Sequence, residues 1–353
     1  MIPVAVLTGF LGSGKTTLLS HLLRQPEFAR TAVLINEFGE VGLDHELVEA
    51  SDDSFIELST GCLCCKVRSD LARTIDDILC RRECAKLPPF DRIVIETSGL
   101  ADPAPILQTL MTDVKLAGRI VLGDVVATVD AVNGLDTLER EEVSAKQVAL
   151  ADHLVLTKSD LANGAQPQLL DRLAALNSGA PLLYAHHGKI EPQSIFDAGG
   201  LESRAKFLDD GTWLVNEACE HSHDRHAGIK TFALVREAPI RAVALTLLLE
   251  ALAEHCGADL LRLKAIVQIA EYPEKPAVLH GVQHVFHPPA WLKRWPSGER
   301  RSRLVFITRR IPRAWVEALL DAVEAEVAEV EEAETHQNRR PARRHAAMRD
   351  PDH

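Results

Sequence analysis

The chain has 353 residues, 46% of them hydrophobic and 25% charged, with a formal net charge of −12. At roughly 100–200 residues per domain this is material for about two domains, and no apolar run approaches the ~18–20 residues that cross a bilayer. The acidic balance excludes a protein built to grip nucleic-acid backbone and leaves room for one local site for a small polyanion, so neither nucleic acid nor membrane is expected as a partner.

Met1 is followed at once by a short apolar strand, Pro3–Thr8, with no leader segment, so the cytoplasm is the expected compartment. Gly9-Phe10-Leu11-Gly12-Ser13-Gly14-Lys15-Thr16 then fits the phosphate-loop pattern G-x-x-x-x-G-K-[ST]. Glycines let backbone N–H groups wrap a phosphate, Lys15 brings charge to the β- and γ-phosphates, and Thr16 offers a hydroxyl to Mg²⁺. The helix that follows, with Leu18, Leu19, Leu22 and Leu23 on one stripe, points its positive dipole end at the anion. The expected nucleotide contacts here are Gly9, Gly12, Ser13, Gly14, Lys15, Thr16 and Thr17.

Thr31–Asn36 reads as the second strand. Asn36-Glu37-Phe38-Gly39-Glu40 follows it, where P-loop proteins carry a switch loop near the γ-phosphate. Glu37 and Glu40 are candidates for Mg²⁺ or for the thiol group that comes next. That group is Gly61-Cys62-Leu63-Cys64-Cys65, three of the chain's seven cysteines. Crowded thiols in an odd total suggest a reducing compartment and metal or redox chemistry rather than disulfide staples. A loop can direct two or three of them at Zn²⁺, Co²⁺ or Cu⁺; a redox pair and simple burial are the other readings. Asp70–Leu79 reads as a helix. Cys80 and Cys84 beyond it, and the isolated Cys219 and Cys256, are expected to pack.

Arg92–Glu96 is an apolar strand that ends in Glu96-Thr97-Ser98-Gly99. Glu96 is placed to hold a Mg²⁺-bound water or to orient the attacking one, and Gly99 lets backbone approach the γ-phosphate. Val125–Asp130, His153–Thr157 and Pro181–Ala185 are further strands. The first-half strands lack strict polar alternation, as strands buried on both faces do, and helices separate them, which predicts an α/β doubly wound parallel sheet of the P-loop NTPase type. After His153–Thr157 comes Thr157-Lys158-Ser159-Asp160. A carboxylate at Asp160 can accept the N1–H and exocyclic amine of guanine, a donor pair adenine lacks, while the Lys158 stem lies on the purine ring.

The expected divisions are a nucleotide-binding domain over 1–210, a polar linker over 211–228, a smaller α+β domain over 229–332 and a disordered tail over 333–353. The linker carries His221, His223 and His226, a loose metal trap or simply a solvated segment. In the second domain Ile229–Arg236, Leu260–Ile269, Ala277–Phe286 and Arg303–Thr308 read as strands, and Ile240–His255 and Arg313–Val330 as helices. Seven acids crowd 321–334, and five arginines with no apolar period follow in 336–353.

The sequence resembles the CobW family of P-loop GTPases, which act as metallochaperones. The resemblance rests on Thr8–Leu19, Asn36–Glu40, Gly61–Cys65, Glu96–Pro103 and Leu156–Asp160, and on Gly281–Pro296 in the second domain. It implies a slow GTPase that converts GTP to GDP and phosphate, binds a transition metal, Zn²⁺ or Co²⁺, and hands it to a client apo-metalloprotein. The implied catalytic residues are Lys15, Thr16 and Glu96. The implied guanine contacts are Thr157, Lys158 and Asp160. The implied metal ligands are Cys64 and Cys65, with Cys62 and Glu40 as candidates. Homo-oligomer formation is also expected to be possible for such a switch. An accessory role in cobalt insertion for cobalamin biosynthesis, a P-loop ATPase or kinase with incidental cysteines, and a non-enzymatic interaction module are the rival readings.

Overall fold

The computed structural model describes residues 1–37, 55–59, 67–162, 167–190, 195, 228–295 and 300–338. Seven strands make one parallel sheet: β1 (Ile2–Gly9), β2 (Thr31–Glu37), β3 (Phe55–Ser59), β4 (Arg92–Thr97), β5 (Ile120–Asp130), β6 (His153–Thr157) and β7 (Leu182–Tyr184). Their order is β3-β2-β4-β1-β5-β6-β7. The helices between them are α1 (Lys15–Leu23), α2 (Val67–Glu83), α3 (Ala104–Thr112), α4 (Gly134–Arg140), α5 (Glu142–Leu150) and α6 (Pro167–Leu176).

Alternation along the central strands explains why they carry apolar side chains throughout. Val4 and Val6 of β1 face the core built on α2, α3, α5 and α6, while Ala5 and Leu7 face Leu18, Leu19 and Leu22 of α1. A sheet covered on both faces needs apolar residues at both parities. The doubly wound parallel sheet is the one expected from the sequence.

The second unit is an antiparallel sheet of β8 (Ile229–Arg236), β9 (Leu260–Val267), β10 (Ala277–Val282), β11 (Val285–Phe286) and β13 (Ser302–Arg309), in the order β11-β10-β9-β13-β8. A two-residue β12 (Ala290–Trp291) pairs with β10. One face, with Leu234, Leu263, Leu279 and Phe306, packs under α7 (Ala242–Cys256) and α8 (Arg313–Asn338). On the other face Ile229, Leu261, Val282 and Ile307 join the core of the first domain. The two domains are therefore seated on each other through a shared apolar layer.

Buried charge closes that seat. Asp152, just after α5, accepts from Arg262 Nη2 at 2.6 Å and lies 2.5 Å from Lys264 Nζ, both on β9. Arg262 Nη1 donates to the Leu150 carbonyl, and the second Asp152 oxygen accepts the Val125 N–H at 2.9 Å. Arg309 on β13 bridges Asp259 (2.9 Å) and Glu142 at the start of α5 (2.8 Å).

Several boundaries differ from the sequence expectation. The strand expected over Ala277–Phe286 is a hairpin, because Gln283 turns the chain with φ +54°. The last helix continues to Asn338, six residues into the segment expected to lack structure from 333. Cys80 and Cys84, expected to pack, are exposed: the buried stripe of α2 is Leu71, Ala72, Ile75, Ile78 and Leu79, and the cysteines fall off it. Cys256 is buried, as expected; Cys219 and the linker histidines lie outside the described residues. Among the described residues no helix is long and apolar enough to cross a membrane.

Candidate nucleotide site

The phosphate loop leaves β1, the strand flanked by β4 and β5, so it emerges between the carboxyl ends of both. Open α/β sheets bind their ligands at such carboxyl-end crevices. Gly9 begins the turn with φ +138°, and a Cβ there would lie 2.3 Å from Thr128 Oγ1 and 2.5 Å from the Thr128 carbonyl oxygen. Only glycine fits that turn. Ser13 Oγ is 2.7 Å from Thr128 Oγ1, and Thr157 Oγ1 donates to the Ser13 carbonyl at 2.7 Å. β5 and β6 thus pin the loop from one side.

Lys15, the first residue of α1, is buried and folds back over the loop. Its Nζ donates to the carbonyls of Gly9 (2.9 Å) and Phe10 (3.2 Å). Thr16 Oγ1 donates to Glu96 Oε1 at 2.7 Å. Glu96 is the penultimate residue of an apolar strand and is only 4% exposed, so a hydroxyl and a carboxylate meet in a sheltered corner beside the loop. A paired hydroxyl and carboxylate is the donor chemistry that Mg²⁺ takes alongside nucleotide phosphates. Gly99, three residues on, packs directly on the loop: a Cβ there would stand 2.7 Å from Leu11 N and 2.8 Å from Leu11 Cα.

At the end of β6, Lys158 adopts φ +55° and its Nζ donates to Asp130 Oδ2 at 2.7 Å. Burial pushes the Asp130 carboxyl up, but Lys158, the Val132 N–H and the Asn133 amides outweigh it and hold the group below the ordinary aspartate value. Asp160 follows at the same edge, with His187 Nδ1 3.5 Å from its Oδ2. Between the loop and Lys158 lies a cavity of about 150 Å³, lined by Leu11, Gly12, Ser13, Thr128, Asp130 and Lys158 among others.

Gly9, Gly12, Ser13, Gly14, Lys15, Thr16, Glu96 and Gly99 therefore gather at one corner, and Thr157, Lys158 and Asp160 border it. Thr17 is exposed in the first turn of α1. Glu37 is the last residue of β2; Glu40, Cys62, Cys64 and Cys65 lie outside the described residues. Among the described residues no group of three or more His, Cys, Asp or Glu side chains is placed to hold a metal ion. Sequence reasoning missed Thr128, Asp130 and Gln147. Gln147, on α5, donates to the carbonyls of Gly99 (3.2 Å) and Ala101 (3.0 Å). Asp130 did carry a signal: it is an acid at the end of an apolar strand, as Glu96 is.

This sheet order, with a phosphate loop on its central strand and a Thr-Lys-x-Asp element two strands away, defines a P-loop nucleotide-binding protein. The chain belongs to the CobW/HypB/UreG family: that family's nucleotide-binding domain matches residues 3–184, and the cobalamin synthesis protein cobW C-terminal domain matches residues 229–324. It is 32% identical over 317 residues to the zinc chaperone YjiA of Escherichia coli, covering 90% of this chain and 97% of the relative. It is 30% identical over 344 residues to the zinc chaperone CobW of a Sinorhizobium species, covering 87% and 92%. The crystal structure of the Zn(II)-bound YjiA GTPase from E. coli aligns with a TM-score of 0.71 at 28% identity, over 91% of this chain and 98% of that one.

Proposed function

We propose that this protein is a GTPase that binds Zn²⁺ through its Cys62–Cys65 segment, with Glu37 or Glu40, and delivers it to a client metalloprotein. The observation that carries this reading is the strand register at the carboxyl edge. Glu37 pairs with Ser59, and Asn36 pairs with Thr97, next to Glu96. Two residues, Thr60 and Gly61, separate Ser59 from Cys62, a reach of at most about 11 Å over three Cα steps. α2 opens two residues after Cys65. In sequence, the thiols therefore fall between Ser59, the register partner of Glu37, and the start of α2. Thiolate with carboxylate is a donor set for Zn²⁺, and Co²⁺ is the second ion it suits. The relatives named above are zinc chaperones and a Zn(II)-bound GTPase, which supports zinc as the cargo.

In this reading Lys15 leaves its loop carbonyls to meet the β- and γ-phosphates. Thr16 would hold Mg²⁺, with Glu96 on a water bound to it, and the ion would supply neutralising charge at the transferred phosphoryl group. Alternatively Glu96 orients the attacking water at the γ-phosphate; Asp160 and Lys158 select guanine. GTP orders the Glu37–Glu40 loop next to the thiols, and hydrolysis releases it, so nucleotide state and metal affinity are coupled in both directions. The name of the C-terminal family domain keeps an accessory role in cobalt insertion as the second reading.

The test is GTP turnover by the purified chain together with anaerobic Zn²⁺ competition titrations of wild type, Cys64→Ala and Cys65→Ala. A solved YjiA variant with one glutamate and two adjacent cysteines changed to alanine is also Zn(II)-bound, so the readout is affinity and not metal content. Turnover of GTP over ATP, with Zn²⁺ bound at least about 100-fold more weakly by the variants, supports the reading. Variants that hold Zn²⁺ as tightly as wild type contradict it.

A further inference from the structure

α5 stands between the phosphate site and the second domain and is bonded to both. Gln147, 1% exposed, gives both hydrogens of its amide nitrogen to the carbonyls of Gly99 and Ala101. Two carbonyl acceptors require an –NH₂ donor, which fixes the orientation of the amide. The neighbouring Lys146 reaches Asp102 of the same loop at 3.5 Å. That loop rests on Leu11 of the phosphate loop through Gly99, so its position against the phosphate loop is set from behind by α5. The ends of α5 belong to the other domain: Glu142 pairs with Arg309, and Leu150 and Asp152 receive Arg262, which is 5% exposed.

A shift of Gly99–Ala101 must therefore either break Gln147's two bonds, stranding buried carbonyls, or move a helix clamped to β9 and β13. We propose that Gln147 is a positioning residue for the γ-phosphate loop, and that through α5 it makes the seating of the C-terminal domain depend on whether the nucleotide carries a γ-phosphate. The inference rests on the reading of the chain as a GTPase. GDP makes no demand on this loop, so the effect is specific to the triphosphate state.

The experiment compares GDP and non-hydrolysable GTP-analogue affinities of the full chain as wild type, Gln147→Ala and Gln147→Glu. Hydrogen exchange over residues 260–267 is followed in both nucleotide states. Gln147→Glu keeps the side-chain volume and loses the double donor. The expected result is GDP affinity within about two-fold of wild type and GTP-analogue affinity about ten-fold weaker, the size of two lost neutral hydrogen bonds. The nucleotide-dependent difference in exchange over β9, present in wild type, disappears. If Gln147→Ala fails to fold, Lys146→Ala, which removes a partly exposed tie to the same loop, is expected to shift the ratio in the same direction. An unchanged ratio in the folded variants, or β9 exchange that ignores nucleotide state in wild type, overturns the inference while leaving the GTPase reading intact. A wild-type chain that neither binds nor turns over GTP sinks both.

Discussion

Thr16 gives its hydroxyl hydrogen to Glu96 at 2.7 Å, joining the first turn of α1 to the end of β4 across a separation of 80 residues in sequence. The bond is possible because β1 and β4 are adjacent parallel strands, with Leu7 in register with Glu96. The phosphate loop's own hydroxyl and the acid of the next strand thus form one unit. In Glu96→Gln the hydroxyl keeps an acceptor while the charge is gone. GTP turnover is expected to fall by about 100-fold, with GDP affinity little changed. Steady-state kinetics alongside GDP titration checks this, and a variant with full turnover contradicts the role given to Glu96.

In the proposed reading Asp160 selects guanine. Asp160→Asn removes the charged double acceptor and presents an amide that can repel the guanine N1–H. The preference for GTP over ATP is expected to shrink by about 100-fold, as for the loss of two charge-assisted hydrogen bonds. Competition between the two nucleotides measures it. An unchanged preference places base recognition elsewhere in the chain.

The Lys158–Asp130 pair sets a pH dependence. Burial alone raises the Asp130 carboxyl, yet its bonds to Lys158 and to the Val132 and Asn133 amides leave it below the ordinary aspartate value. A carboxylate depressed on folding contributes stability at pH above its unfolded value, lost only as pH falls through the lower folded value. Nucleotide affinity and thermal stability should therefore show no step from the Asp130 carboxyl between about pH 5 and 8. In Asp130→Asn, nucleotide binding should weaken at every pH in that range, because Lys158 loses its charged anchor. A midpoint near neutrality in wild type that vanishes in Asp130→Asn contradicts the assignment.

The domain seat predicts a large stability effect far from the nucleotide. Asp152→Ala leaves Arg262 and Lys264 facing each other without their shared carboxylate, inside a buried seam. Removal of one partner from a buried charge group costs about 3–5 kcal/mol. Urea unfolding should show that loss, and an apolar replacement of both Asp152 and Arg262 should recover part of it. A loss under about 1 kcal/mol for Asp152→Ala would show that the seat is apolar alone.

The sequence made some of this legible and hid the rest for physical reasons. β1, β4 and β6 stand out because burial on both faces forces unbroken apolar runs, and His153–Thr157 coincides with its observed strand. The phosphate loop stands out because its glycine and lysine spacing is a backbone requirement. α5 did not stand out: Glu142, Lys146 and Gln147 interrupt its apolar stripe, since this helix meets polar loops and the second domain as well as the core. β3 was missed because it is a strand of only five residues at the sheet edge. Partnerships such as Lys158 with Asp130, or Gln147 with Gly99, join residues 28 and 48 positions apart and exist only once the sheet order is known.

The measurement that bears most directly on the central claim is Zn²⁺ affinity in two nucleotide states. Anaerobic competition titrations would be run on wild type and Cys64→Ala, each loaded with GDP or with a non-hydrolysable GTP analogue. Coupling between the thiol segment and the γ-phosphate predicts wild-type affinities that differ by about ten-fold between the two states, and no such difference in Cys64→Ala. Equal affinities in both states of the wild type would contradict a nucleotide-switched metal site.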